Sequence, residues 1–416
     1  MATTRLGVLK GAMMEWTWPP AVALAKKAVL RTFSCVEEGM LVVVDEPGSE
    51  KHRFGARDAV GETGTAKSVP SVEIVVKRDT FWARLFLFAD IGFAEAYMLG
   101  DFECADLTSF FRGQAEQWNH VVLGVVVHGF NVGPFHEYAG EFAIKYRDPA
   151  ESLEDAQLRK LLRFVEGAKI KETDHVLEIG TGWGSFAIEA VKRTGCRVTS
   201  ITLSQRQKEL ADYRIKLAGL SHRIDVKFMD YRELPTSAEP FDKIVSIEML
   251  EAVGQAHLGD YFACIHKLLK KDGIAMFQCI TMPEGRHEAY SKSSDFINQY
   301  IFPGGYLPSI TQLLNHISTH SNGTLIVENV ENIGGHYVKA LRLWREAFLD
   351  NFDEKIHPAL LKSHPAMTQE AVEVFRRKWE YYFTYCEAGF ITKTLGDVII
   401  TVGREGALEL MEDIPL

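Results

Sequence analysis

Val176-Leu-Glu-Ile-Gly-Thr-Gly-Trp-Gly184 is a short apolar strand that runs into a glycine-rich turn, with an amphipathic segment, 185–193, behind it. Where a strand turns into a helix in this way, the backbone can approach a nucleotide-like ligand closely. Gly180, Gly182 and Gly184 fall where a Cβ would obstruct that approach or the tight turn. Glycines at this spacing also occur in ligand-free turns, so the flanking segments decide between the two. From this point strands and helices alternate, which implies a mainly parallel sheet. Strands are expected at 176–179, 197–202, 225–229, 243–247, 274–280, 325–330 and 398–402, with helices at 152–167, 205–218 and 258–269. Two insertions, 283–321 and a helical 337–395, exceed what crossovers require and are expected to build a substrate pocket.

Upstream, residues 1–33 hold Arg5, Lys10, Lys26, Lys27 and Arg31 against one acid, Glu15. The stretch 20–33 reads as a helix with Val22, Ala25, Val29 and Phe33 on one stripe, and Lys27 and Arg31 off it. Such a helix fits a membrane interface or a place packed on its own domain. Strand-like runs at 40–44 and 72–77 flank a polar stretch, 46–68, that is expected to be a loop. Helical segments at 81–88 and 93–98 follow. Residues 1–120 thus form a small α+β domain, 121–150 a linker without an assigned element, and 151–416 the main domain.

A chain of 416 residues suggests about two or three domains. Its 46% hydrophobic and 25% charged residues are those of an ordinary soluble globular protein. No apolar run approaches the roughly 18 residues that span a bilayer, and the N-terminus lacks a secretory pattern, so a cytoplasmic location is expected. Cys35, Cys104, Cys196, Cys264, Cys279 and Cys386 are scattered without a Cys-x-x-Cys pair, which fits reduced thiols and no metal site. The net charge of −10 argues against nucleic acid as a partner.

A dinucleotide site usually places an acid about 20 residues after the glycines to meet the ribose. Here the second strand ends Thr202-Leu-Ser-Gln-Arg-Gln207, with no acid; Thr202, Ser204 and Gln207 offer polar contacts instead. The third strand ends Met229-Asp-Tyr-Arg232. There Asp230 suits an adenine amine and Tyr231 a stacked ring, although Asp230 also suits a turn cap. S-adenosylmethionine (SAM) fits these features better than a dinucleotide.

Several motifs carry a more specific resemblance: Leu177-Glu-Ile-Gly-Thr-Gly-Trp-Gly184, Thr202-Leu-Ser-x-x-Gln207, Met229-Asp-Tyr-Arg232 and Val245-Ser-Ile-Glu-Met-Leu-Glu-Ala-Val-Gly254. Tyr300-Ile-Phe-Pro-Gly-Gly-Tyr-Leu-Pro308, Ile333-Gly-Gly-His-Tyr337, Tyr381-Tyr-Phe-Thr-Tyr-Cys-Glu-Ala-Gly-Phe390 and Gly92-Phe-Ala-Glu-Ala-Tyr-Met-Leu-Gly100 add to it. Over roughly residues 70–405, with one gap, the chain resembles the cyclopropane-fatty-acyl-phospholipid synthase family. The resemblance implies an α/β class I SAM-dependent methyltransferase. Its Rossmann-like, mainly parallel seven-stranded sheet would be preceded by a smaller, lipid-associated N-terminal α+β domain.

The resemblance further implies transfer of a one-carbon unit from SAM to the cis double bond of a phospholipid acyl chain, peripheral membrane contact and a possible homodimer. Glu178, Gly180, Gly182, Gly184, Thr202, Leu203, Gln207, Asp230 and Tyr231 would bind SAM. Glu251, Tyr337, Gln278 and Ile280 match positions that hold a bicarbonate ion, which removes a proton from the new methyl group. Many members carry histidine where this chain has Gln278, and glutamine does not titrate. Cys386 falls on a cysteine long suspected of reactivity, though the chemistry needs no thiol nucleophile. Tyr300, Phe302, Tyr306, Tyr381 and Phe390 are candidate faces for a carbocation.

One segment departs from the family. Members carry His-Tyr-Asp and, later, Tyr-Ser-Cys, covering SAM and completing the bicarbonate site. Here the region reads His128-Gly-Phe-Asn-Val-Gly-Pro-Phe135 and Glu141-Phe-Ala-Ile-Lys-Tyr-Arg147. Only His128 matches. Two alternatives therefore stand beside cyclopropane formation: a lipid or alkene C-methyltransferase leaving a methyl or methylene branch, and a non-catalytic lipid- or SAM-binding relative.

Overall fold

A computed structural model describes residues 19–34, 36, 39–55, 59–60, 66–67, 71–117, 152–235 and 239–412. The expectations for 121–150, including the altered His128–Arg147 stretch, lie outside the described residues.

The N-terminal part opens with α1 (Pro19–Phe33), followed by β1 (Met40–Asp45), β2 (Glu50–Gly55), β3 (Ser71–Val76), α2 (Thr80–Met98), β4 (Phe102–Cys104) and α3 (Leu107–Gln117). Its four-stranded sheet runs β2-β1-β3-β4, with β1 and β3 parallel and the outer pairs antiparallel. Strand β2 lies within the 46–68 stretch expected as a loop. It is an edge strand with no buried residue, so it lacks the apolar alternation by which strands are read. Ala25, Val29 and Phe33 of α1 are buried in the same core as Ile74, Val76 and Trp82. The stripe is therefore used inside this lobe and is not available to a membrane.

Helix α2 is broken at Ala89 (φ 45°, ψ −120°), where the chain folds back so closely that a Cβ on Gly92 would lie 2.0 Å from the Arg84 carbonyl oxygen. That close approach explains a glycine at 92.

The main part contains α4 (Leu153–Gly167), β5 (His175–Ile179), α5 (Ser185–Thr194), β6 (Arg197–Thr202), α6 (Gln205–Leu217) and β7 (Ile224–Phe228). It continues with β8 (Phe241–Ile247), α7 (Leu258–Leu268), β9 (Leu269–Thr281), α8 (Glu284–Ser291), α9 (Ile310–His320) and β10 (Leu325–Asn332). The helices α10 (Tyr337–Asp350), α11 (His357–Ser363) and α12 (Gln369–Ile391) precede the last strand, β11 (Gly396–Arg404). Ser152, Ser204, Ser309 and Thr368 cap α4, α6, α9 and α12 by accepting from the backbone N–H three residues on.

The sheet order is β10-β11-β9-β8-β5-β6-β7. Strands β9, β8, β5, β6 and β7 are parallel, and β11 is antiparallel to both its neighbours. All seven strands expected from the sequence are present. After β5 the chain builds outward through β6 and β7, then returns to place β8 on the other side of β5. The order reverses at the β5–β8 boundary, where sheets of this kind bind ligands beyond the carboxyl ends of their strands.

Helix α12 joins the two parts. The buried Arg377 guanidinium donates to the carbonyls of Tyr97 (2.5 Å) and Phe102 (2.8 Å), pairs with Glu103 at 3.1 Å and lies 4.2 Å over the Tyr97 ring. Arg377→Ala would strand two buried carbonyls, and breaking such a buried arrangement costs about 3 kcal/mol. That loss is expected as a lower midpoint in urea unfolding at unchanged slope.

Candidate active site

The polar wall of the site is set by the glycine turn. Gly180 and Gly182 take φ of +102° and +51°, and the Gly180 and Thr181 amides both donate to the Ile201 carbonyl, tying the turn to β6. Glu178 is buried and accepts from the Ser200 hydroxyl, whose oxygen lies 2.7 Å from Thr181 Oγ1. At the end of β6, Thr202 Oγ1 donates to Gln207 Oε1 at 2.7 Å, which fixes the glutamine on the first turn of α6. After β7, Asp230 accepts from the Arg232 backbone amide at 2.9 Å and pairs with its guanidinium at 2.6 Å. This carboxylate is both a turn cap and a cavity wall, and the Arg232 side chain beside it holds its pKa below the usual carboxylate range.

These groups line one cavity of about 680 Å³. Its far wall is apolar and comes from α10 and α12. Tyr337, Leu341, Trp344, Phe348 and Asn351 line it from one face of α10 and its end. Fourteen residues of helix carry that stripe about 21 Å. Trp379, Tyr382, Phe383, Cys386 and Phe390 face it from α12. A polar pocket and an apolar arm therefore share one space, as a site for a nucleoside-like cofactor and an aliphatic chain requires.

Of the residues expected at the cofactor, Glu178, Gly180, Gly182, Thr202, Leu203, Gln207, Asp230 and Tyr231 line the cavity. Gly184 does not. It precedes α5 with φ +80°, and a Cβ there would meet Ala211 of α6 at 3.1 Å, so its service is to helix packing.

Ile280, Tyr337 and Cys386 also line the cavity, whereas Glu251 and Gln278 sit behind its surface, fully buried. Glu251 Oε1 accepts from the Ile280 backbone amide at 2.6 Å, and its Oε2 has no protein partner. Burial, reinforced by the charge of Glu248, pushes its carboxyl up to about 8, so it is neutral at pH 7. Gln278 Nε2 donates to Asp397 Oδ2 at 2.6 Å, which leaves Gln278 Oε1 and Asp397 Oδ1 without partners. The Tyr337 hydroxyl is likewise unpartnered, and its ring stacks on Phe390 at 4.6 Å and 11°. The expected donor at 280 is thus engaged from within the protein, and the amide nitrogen at 278 is turned to Asp397. Burial holds the Cys386 thiol protonated, which does not suit a nucleophile.

Among the aromatic candidates, Phe302 and Phe390 reach the cavity while Tyr300, Tyr306 and Tyr381 do not. Tyr300 donates to Glu95, Tyr306 to Gln312 at 2.8 Å, and Tyr381 lies in the buried stack between Phe93, Phe111 and Phe296. Sequence reading missed Lys160, Trp344, Trp379 and Tyr382 on the wall. Glu248, the carboxylate three residues before Glu251 and its rival in the sequence, lines the cavity, takes φ +52° in the turn after β8 and pairs with Lys160 at 3.5 Å.

A sequence profile described as mycolic acid cyclopropane synthetase matches residues 133–399. The chain belongs to that family. With the fold, this membership makes it a SAM-dependent methyltransferase that acts on lipid.

Among curated proteins, tuberculostearic acid methyltransferase UfaA1 of Mycobacterium tuberculosis is 40% identical over 251 residues, 60% of this chain and 55% of that protein. Cyclopropane-fatty-acyl-phospholipid synthase of Escherichia coli is 28% identical over 415 residues, 91% of this chain and 99% of that protein. Sphingolipid C9-methyltransferase of Candida albicans is 32% identical over 211 residues, half of this chain and 41% of that protein. The cyclopropane synthase MmaA2 of Mycobacterium tuberculosis shares the fold at a TM-score of 0.56 and 22% identity, over 65% of this chain and 94% of that one. Mycolic acid cyclopropane synthase CmaA1, solved with S-adenosylhomocysteine and CTAB, gives 0.55 at 24% identity, over 65% of this chain and 93% of that one.

Proposed function

We propose that the protein adds a one-carbon unit to the cis double bond of an unsaturated phospholipid acyl chain and closes it to a cyclopropane. The observation that carries this reading is the apolar arm of α10 and α12 opening into the polar pocket at Tyr337. SAM at the glycine turn supplies an electrophilic methyl group. One alkene carbon, held in the arm, would take that methyl as its bond to the sulfonium sulfur breaks and S-adenosylhomocysteine is left, and positive charge would develop on the neighbouring chain carbon. The faces of Phe390, Phe302 and Tyr382 border this space and favour a cation over water. Loss of a proton from the new methyl then closes the ring.

A bicarbonate ion would supply the base for that proton. Its oxygens need donors and its hydroxyl needs an acceptor. The neutral Glu251 carboxyl and the Tyr337 hydroxyl offer donors, and Gln278 Oε1 offers the acceptor, so the unpartnered atoms fit the group. Glu251, itself held by the Ile280 amide, would orient it.

The test is incubation with SAM and vesicles of monounsaturated phosphatidylethanolamine or phosphatidylglycerol. Mass spectrometry should show acyl chains heavier by one methylene group, and NMR the loss of the double bond. A second reading, a methyl or methylene branch, is favoured by the non-titrating Gln278 and by the relative that is named for tuberculostearic acid. Retained unsaturation, or a saturated methyl branch, would establish it. No mass gain and no SAM binding by calorimetry would refute both.

This reading includes contact with the bilayer that holds the substrate. Among the described residues no helix is long and apolar enough to cross a membrane. With the stripe of α1 buried, a run of consecutive exposed apolar side chains suited to that contact is Phe86, Leu87 and Phe88, exposed by 46%, 37% and 42% just before the break in α2. Burying such side chains is worth about 1.5–3 kcal/mol each. Phe86→Glu with Phe88→Glu is expected to weaken vesicle co-sedimentation by about tenfold or more, with SAM affinity unchanged. Undiminished co-sedimentation would remove this turn from the contact.

A further inference from the structure

We propose that Asp397 is a positioning residue for this site, one that fixes which edge of the Gln278 amide is turned toward the reacting end of the pocket. The inference rests on the reading above. Gln278 carries its two N–H donors on Nε2 and its acceptor on Oε1, at opposite ends of one planar amide. Nε2 donates to Asp397 Oδ2 at 2.6 Å, and both side chains are completely buried, so water cannot compete for either. Turning Nε2 to Asp397 sends Oε1 to the other side, and it is this atom that lacks a partner, together with Glu251 Oε2 and the Tyr337 hydroxyl.

The strand register brings the two side chains together. Asp397 pairs with Ile280 across β9 and β11, which puts Asp397 on the same sheet face as Gln278, two residues along β9. The backbone of Asp397 serves the same end of the site. Its carbonyl accepts from the Ile333 amide at 2.7 Å, which anchors the turn that delivers Tyr337. A Cβ on Gly334 in that turn would lie 3.0 Å from the Asp397 nitrogen, so a glycine lets the two strands approach. One residue thus anchors Gln278 by its side chain and Tyr337 by its main chain.

The charge around Asp397 is compatible with this role. Glu248 and Glu251 face it and, with burial, push its carboxyl well above the usual range, while Lys160 pulls it down. In the protonated form one oxygen still accepts from Gln278.

The role is tested by Asp397→Leu, Gln278→Leu, the double variant and Asp397→Asn, assayed on the lipid found for the wild type. Each leucine variant is expected to lose about 30-fold in kcat at nearly unchanged KM and SAM affinity. Residues that act as one unit do not add, so the double variant should be no worse than either single. Asn retains an acceptor, so Asp397→Asn should recover at least tenfold over Asp397→Leu.

Multiplicative losses in the double variant, wild-type kcat in Asp397→Leu, or no recovery by asparagine would each overturn the proposal. If Asp397→Leu does not fold, Asp397→Ser, too short to reach Gln278, replaces it in the same comparison. A wild type without activity on any alkene lipid would instead defeat the reading on which the inference rests.

Discussion

Glu251→Gln is expected to lower turnover by roughly 10²-fold or more, the scale of a group that positions a general base, while SAM binds with unchanged affinity. The substitution keeps size and one acceptor, so the Ile280 amide stays paired. What it replaces is an O–H donor at Oε2.

The same substitution should raise stability, and the sign follows from the proton count. An unfolded glutamate titrates near 4.5, and the folded one is pushed up to about 8. Between those values the folded state binds more protons than the unfolded, so stability falls as pH rises through that window. Stability from this group is complete below the unfolded pKa and lost once pH passes about 8. Glutamine has no proton to lose. Glu251→Gln should therefore melt above the wild type at pH 8 and close to it at pH 4.5. At neutral pH the gain would be on the order of 3 kcal/mol at most. A variant both less active and more stable is the signature of a buried acid kept for function, and near-normal turnover would remove Glu251 from the mechanism.

Gly180→Val is expected to weaken SAM binding by 10²-fold or more in calorimetry. The backbone at φ +102° is open to glycine and strained for a β-branched residue, at about 1–3 kcal/mol. The added Cβ would also stand 3.3 Å from the Met249 side chain, which lines the same cavity. The chain must relax by moving the turn, and that turn carries the wall against which the cofactor lies. Gly184→Ala is the contrast. Its Cβ would press on Ala211 at 3.1 Å, outside the cavity. That variant should lose stability, and its folded fraction should bind SAM within about threefold of wild type. Equal losses of SAM affinity in the two variants would contradict the division of labour between these glycines.

The centre of the parallel sheet was legible because β5, β6, β8 and the second half of β9 are largely buried on both faces between helices. The glycine turn and the ends of β6 and β7 were legible for a related reason: a ligand site at strand ends leaves polar residues at fixed offsets from those runs. Strand β2 was not, because an exposed edge carries no burial pattern.

The apolar arm falls in the helical insertion 337–395 that was expected to build a pocket, but its wall residues were hidden by their own chemistry. Trp344, Phe348, Trp379 and Phe383 recur at helical spacing, which is also how a packed core is written. Only the cavity between α10 and α12 separates the two uses. Tyr300, Tyr306 and Tyr381 failed in the opposite sense: aromatic residues in a matched motif, they serve packing and hydrogen bonds away from the cavity. Asp397 gave no signal, since an aspartate at the start of a strand reads as a turn residue until the register sets it beside Gln278.

The most direct measurement of the central claim follows the transferred carbon itself. The wild-type protein is supplied with SAM whose methyl group carries three deuterons, together with vesicles of monounsaturated phospholipid. The acyl chains are then weighed by mass spectrometry and their double bonds counted by NMR. The account predicts chains that keep two of the three deuterons and no double bond, since the proton is removed from the new methyl as the ring closes. Chains that keep all three deuterons would contradict it, because the proton would then have left from the lipid.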